Sequence, residues 1–304
     1  MKKVTLLLAT VLLTQFGFAQ EDSIKVVVPA DTTVPGSKND TIRIGNILII
    51  KKGKTTSDDE GDNVNVTMGR NENRRKNPSR VSTNWGVLDI GFSNYDDQTN
   101  YASTGTYRVN QPGSPALGES DFKLRTGKSI NVNLWFFMQR LSLIKNHVNL
   151  KYGLGLEMNN YRYKSSLSYR ESGVIPYSGG QKTNMPFVFR DSIAFSKNKL
   201  AADYLTVPFM INFASNPHSS KKGISVSLGA SAGYLYSQRN KQKSAERGKD
   251  KNKGEYDLEK FKLSYIAELG LGPVRLYGSY SPKSMYEHSL NMRPYTLGFR
   301  FSNW

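Results

Sequence analysis

Three groups of residues in this chain of 304 could carry chemistry. The first is His288, flanked by Glu287 and Ser289, with Ser281 and Ser284 shortly before it. A serine activated by a histidine that a carboxylate orients is the minimum for acyl transfer. Sequence neighbours on a loop rarely meet in that geometry, so no catalytic residue and no enzymatic activity is expected. There is no cysteine, which removes thiol nucleophiles, thiolate metal sites and disulfides. The histidines His147, His218 and His288 are far apart in sequence, so neither a metal site nor a cofactor is expected.

The second group is charged: Asp89, Lys151, Glu157, Lys262, Glu268, Arg275 and Arg300. Each stands at a polar position within a stretch that otherwise alternates with apolar residues. Such residues share one face of an extended strand. Charges on an enclosed face must pair, because an unpaired buried charge is costly. Glu157, Glu268 and Asp89 are expected to pair with Lys151, Lys262, Arg275 and Arg300. The third group is a basic run, Arg239, Lys241, Lys243, Arg247, Lys249, Lys251 and Lys253, set against Glu246 and Asp250 only. The whole chain has 42 basic and 25 acidic residues, a net charge of +17. In a cytosolic protein that balance suggests nucleic acid. Here the chain opens with Met1-Lys2-Lys3, an apolar run from Val4 to Leu13, and small residues Gly17 and Ala19 at a cleavage position. That is a secretory signal peptide over 1–19. The basic run is therefore expected to contact an anionic surface such as lipopolysaccharide, not nucleic acid.

The elements that must position these groups read as strands. From Asn84 onward apolar residues recur with a period of two. Val148, Leu150, Tyr152, Leu154, Leu156 and Met158 alternate with Asn149, Lys151, Gly153, Gly155 and Glu157. Eight such stretches are expected: 84–95, 128–138, 147–161, 203–214, 224–236, 258–271, 274–281 and 293–301. Pro208 lacks a ladder donor and should sit at a bulge or distortion. Long connections alternate with short ones, the pattern of bacterial barrels with long outer loops and short periplasmic turns. In the last stretch Tyr295, Leu297, Phe299 and Phe301 share a face, and Trp304 ends the chain. The mean hydropathy of −0.52 does not oppose a membrane, because a barrel hides its lipid face in alternate positions. The fold class expected is all-β: an eight-stranded antiparallel up-and-down transmembrane β-barrel over 84–304. Residues 20–83 read as a mostly irregular periplasmic segment, with a short hairpin at 41–50 turning on Gly45-Asn46.

Two short motifs point to a family. Tyr204-Leu205-Thr206-Val207-Pro208 opens a strand after a long loop, and Asp40-Thr41-Ile42-Arg43-Ile44-Gly45-Asn46 precedes an Ile-rich run. With the aromatic final strand, these make the chain resemble the PorT-like family of small outer-membrane β-barrels of Bacteroidetes. The resemblance implies location and fold, and no catalytic residues. It also implies that Tyr295, Leu297, Phe299, Phe301 and Trp304 form the signal read by the barrel-assembly machinery. The function expected is structural or interactive: polar, basic loops contacting lipopolysaccharide or a protein partner, over a lumen plugged by charge pairs. The alternative is a narrow pore, or a component of a secretion or uptake assembly.

Overall fold

The computed structural model describes the strand segments 39–44, 47–52 and 64–68, and residues 79–218 and 223–302. The expected signal peptide and Trp304 lie outside the described residues. The chain divides into two compact units, Met1–Arg75 and Lys76–Trp304. In the first, β1 (Asn39–Ile44), β2 (Ile47–Lys52) and β3 (Val64–Met68) form an antiparallel sheet in that order. Ile44 pairs with Ile47, which leaves only Gly45 and Asn46 between the strands. β3 is an element the sequence reading lacked, although Val64, Val66 and Met68 alternate with Asn65 and Thr67.

The second unit is built on long antiparallel strands. β4 (Val81–Asp97) leads into two 3-10 turns, the short strand β5 (Arg108–Val109) and a one-turn helix α1 (Glu119–Phe122). β6 (Ile130–Ile144) and β7 (Val148–Arg162) follow as a hairpin. Lys145 and Asn146 join them with φ of 44° and 60°, the backbone of a two-residue turn whose twist suits antiparallel strands. Four short strands come next: β8 (Leu167–Arg170), β9 (Gly173–Val174), β10 (Lys182–Thr183) and β11 (Phe187–Arg190). Then come β12 (Lys197–Ala214), β13 (Ile224–Ser244), β14 (Gly248–Lys253), β15 (Phe261–Leu271), β16 (Val274–Tyr280) and β17 (Met292–Phe301).

The long strands hydrogen-bond in the order β12-β7-β6-β4-β17-β16-β15-β13, with β14 alongside the far half of β13. β12 and β13 also pair with each other, from Lys197 opposite Lys243 to Ala214 opposite Ser225. One face carries exposed apolar side chains, among them Phe92, Leu134, Phe209, Leu228, Leu263 and Leu297. The other is buried and polar. The alternation is complete in β7, where every second residue from Asn149 to Tyr161 is buried.

Three differences from the sequence reading have physical causes. First, the basic run is not a loop. β12 begins at Lys197 rather than 203, and β13 continues through Tyr236 to Ser244 and folds back as β14. The pairing slips between Asp203 and Tyr204, so that Tyr236 is the extra residue of a bulge. An inserted residue exchanges the two faces beyond it. Below the bulge the even-numbered residues of β13 point outward; above it Arg239, Lys241 and Lys243 do, while Asn240 and Gln242 are buried. Secondly, Pro208 interrupts the β12–β7 ladder between Thr206 and Phe209 but does not shift its register. The bulge lies on the other side of β12, in its neighbour β13. Thirdly, the long connections are ordered. β11 pairs with β8 and β5, and isolated bridges join Leu124 to Tyr163 and Leu258 to Tyr286. These loops pack with the ends of the long strands into a core around Tyr95 of β4 and the loop residues Tyr107, Tyr163, Tyr169, Tyr256 and Tyr286.

Candidate functional site

The buried polar face gathers all seven charges named above from β4, β7, β15, β16 and β17. Arg300 donates Nε–H and an Nη2–H to the two oxygens of Asp89, at 2.7 and 2.8 Å. Its Nη1 donates to Glu268 Oε2 at 2.6 Å. Two parallel bonds to one carboxylate suit the planar guanidinium and fix both side chains. Glu268 Oε1 accepts from Lys151 Nζ at 2.8 Å and from Arg275 Nη1 at 3.1 Å. Lys262 pairs with Glu157, which also accepts from Asn159 Nδ2 at 3.0 Å. Asn159 in turn accepts from Asn131, and Asn131 donates to Asn133, both at 2.9 Å; Asn133 donates to Asp89 at 3.1 Å. The ion pairs are thereby tied into one web.

Two ring residues complete it. Trp135 Nε1–H donates to Asp89 Oδ2 at 2.7 Å, and Tyr277 hydrogen-bonds Asn131. The Arg300 guanidinium lies 5.6 Å from the Trp135 ring and 5.9 Å from the Tyr277 ring, close enough for cation–π attraction. The period of two puts Trp135 on the polar side, but its role as a donor had no sequence signal. Small residues make room for the rings. A Cβ on Gly155 would meet Trp135 Cε3 at 2.7 Å, and one on Gly91 would meet the Tyr277 hydroxyl at 2.7 Å. The cavity between Asn133, Trp135, Glu157, Met210, Tyr277 and Arg300 measures about 20 Å³, room for about one water.

The loop core makes a second layer. Tyr107 donates its hydroxyl to Tyr256 O at 3.0 Å. Tyr169 bonds Tyr163 at 2.7 Å and Tyr286 at 3.1 Å through their hydroxyls. Burial pushes the Tyr256 phenol up to about 12. Arg190 grips Asp121 through Nε and Nη2 at 2.8 to 3.1 Å, pinning β11 to α1.

His288 finds its partner in another loop. Its Nδ1 is 3.0 Å from Asp257 Oδ1, and Asp257 Oδ2 accepts the backbone N–H groups of His288 and Ser289 at 3.2 and 2.8 Å. That hydrogen bond raises the pKa of the exposed imidazole. Asp257 holds φ of 62°, a strained backbone that this clamp pins in place. The nearest carboxylate to Nε2 is Glu287, at 4.0 Å. Ser281 and Ser284 donate their hydroxyls to the carbonyls of Leu263 and Leu290, each at 2.8 Å. His147 Nδ1 lies 2.9 Å from the Ala214 carbonyl at a short turn, and His218 follows Asn216 at the next. No group of three metal-ligating side chains occurs among the described residues.

Six members of the basic run form cross-strand pairs on the β13–β14 hairpin: Arg239 with Lys253, Lys241 with Lys251, and Lys243 with Lys249. Arg239 also forms an ion pair with Asp203. Arg247 leaves the group; it sits at the hairpin tip and reaches Asp191 at 3.0 Å. At the chain end, Tyr295, Leu297, Phe299 and Phe301 are 41, 63, 53 and 58% exposed on the apolar side of β17.

An antiparallel sheet with one exposed apolar face and one buried charged face has the design of bacterial outer-membrane barrels, not of soluble sandwiches. The chain belongs to the outer membrane protein beta-barrel domain family, whose model matches residues 71–291. Membership assigns it to the outer membrane. The match stops just before β17, which the structure pairs with both β16 and β4. No curated protein matches the chain.

Proposed function

We propose that the chain is a PorT-like closed, eight-stranded up-and-down barrel, exported by its signal peptide, that spans the outer membrane as a non-conducting structural and interaction platform. One observation carries this reading: the inner charges are spent on one another. Asp89, Glu157 and Glu268 each hold at least one cation, and the cavity beside Glu157 and Arg300 is about 20 Å³. The tyrosine-rich loop core lies over one end of the same strands. An interior of eight strands is just wide enough for side chains to fill, and no continuous water path is then available. The outward basic hairpin serves as the contact surface, for lipopolysaccharide or a partner protein.

The reading assigns no catalysis. Ser281 and Ser284 direct their hydroxyls to backbone carbonyls, and the His288 ring is held by an acid for loop closure. Planar-bilayer recording of the full chain tests the proposal. Insertion without discrete conductance steps is expected; steady single-channel steps would restore the narrow pore or uptake component.

A further inference from the structure

The basic hairpin is one part of a larger array. Register places Lys199 of β12 opposite Lys241 of β13 on one side and opposite Arg162 of β7 on the other. With Lys251 beyond Lys241, four cations lie side by side across four adjacent strands. A second rung, Lys197, Lys243 and Lys249, runs beside the first. Neighbouring strands are about 5 Å apart and like charges directly opposite destabilise a sheet. The sequence nevertheless repeats cation against cation at three positions of the β13–β14 hairpin. Among the described residues, Arg239 has Asp203 as an ion partner, and none of the seven rung residues has a carboxylate partner. Lys199 reaches only the Asn160 amide oxygen, and Arg162 the Ser196 carbonyl at 2.8 Å.

The position of the array argues for its occupant. Directly along the same outward face of β12 and β13 come Tyr234 and Tyr236, each 49% exposed, then Leu205, Val207, Phe209 and Leu228. Apolar side chains, then tyrosines, then cations is the order in which a barrel strand leaves hydrocarbon and crosses the headgroups. The alternate residues Asn198, Asn240 and Gln242 are buried under the loops and hydrogen-bonded to one another, so the array is rigid. Resting on the outer-membrane reading above, we propose that Arg162, Lys197, Lys199, Lys241, Lys243, Lys249 and Lys251 form a preorganised site for the phosphate groups of an outer-leaflet glycolipid. Charge-assisted bonds from several ammonium groups to phosphate oxygens supply the affinity, and the aromatic collar beside them holds the acyl chains' upper ends.

The test uses the full chain in detergent, incubated with bis-phosphorylated lipid A, dephosphorylated lipid A or inorganic polyphosphate. Retained ligand is measured after gel filtration. Wild type should prefer the phosphorylated lipid over the dephosphorylated one, and high salt should weaken retention. Each lysine at an anionic lipid surface is worth about fivefold, so Lys199→Gln/Lys241→Gln/Lys251→Gln should lose about a hundredfold. Lys251→Gln alone, on the edge strand, should lose about fivefold, and the triple Lys→Arg variant should keep wild-type retention. Equal retention of both lipids, or a triple glutamine variant that binds like wild type, overturns the site. Tighter capture of polyphosphate than of lipid A also overturns it, in favour of a soluble polyanion. A heat-modifiable gel band, checked for every variant, separates the two levels. Its absence in wild type sinks the membrane barrel and the site with it; its presence without phosphate preference sinks the site alone.

Discussion

At the scale of single residues, Arg300 does the most. It holds two carboxylates from two other strands, at sequence separations of 211 and 32. Arg300→Ala would leave Asp89 with amide and indole donors only, and take one cation from Glu268. Removing one partner of a buried ion pair costs about 3–5 kcal/mol. The temperature at which the folded band disappears on a gel should fall; an unchanged value would show that the web contributes nothing to stability. His288 supports a prediction in pH. Asp257 raises its folded pKa above the ordinary value. The clamp between the two loops is therefore fully present below the unfolded pKa of about 6.5 and is lost as pH rises through the raised folded one. Protection of the His288 and Ser289 amides against hydrogen exchange, corrected for intrinsic rate, should drop across that window. In His288→Ala it should be flat; a wild-type profile equally flat would refute the clamp. The sequence offered Glu287 and Ser289 as partners for this ring. Asp257 is 31 residues away and had no signal.

At the scale of elements, β4 and β17 approach closely where Gly91 faces Gly298. A Cβ on Gly298 would lie 2.4 Å from Gly91 Cα and 2.4 Å from Ile90 O, which is backbone and cannot step aside. Gly298→Ala should cost about 1–3 kcal/mol of unfolding free energy, read as a lower urea midpoint, while Gly127→Ala, with nothing within 4 Å, should be neutral. Full stability of Gly298→Ala would contradict the β4–β17 register. The basic hairpin makes an equally direct prediction. A solvated loop with this many lysines would be cut by trypsin throughout. Backbone held in a ladder resists, so cleavage of the folded protein should be confined here to Arg247 at the tip. Rapid cutting after Lys241 or Lys243 would mean that the hairpin does not form. The signal for it was present in the sequence: Arg239, Lys241, Lys243 and Lys249, Lys251, Lys253 each keep a period of two. It reads as a loop only when the outward face is assumed to be apolar.

At the scale of the whole molecule, the proposed closed barrel and its outer-membrane site predict one joint behaviour. Unboiled protein from outer-membrane fractions should survive a carbonate wash and migrate ahead of the boiled form. A soluble fraction with no heat-modifiable band would reverse the assignment of the two faces, making the apolar side an interior. The exposed row Tyr295, Leu297, Phe299 and Phe301 would then not be the assembly signal that the family resemblance implies. If the role holds, Phe301→Asp should lower the yield of heat-modifiable protein severalfold without altering expression.

The all-β class and the outer-membrane family were legible from the chain, because a period of two over stretches such as 148–158 is a local property. So was the inventory of inward charges, since alternation places Lys151 and Glu157 on one side whatever surrounds them. Partner choice was not local. Glu268 takes Lys151, Arg275 and Arg300 because β7, β15, β16 and β17 are brought together by pairing. The bulge at Tyr236, which turns the lysines of β13 outward, exists only against β12. The four-strand row of cations from Arg162 to Lys251 likewise combines residues that no sequence window contains. Composition and period set what each face is made of; the register between distant strands decided which groups meet, and therefore what the faces can bind.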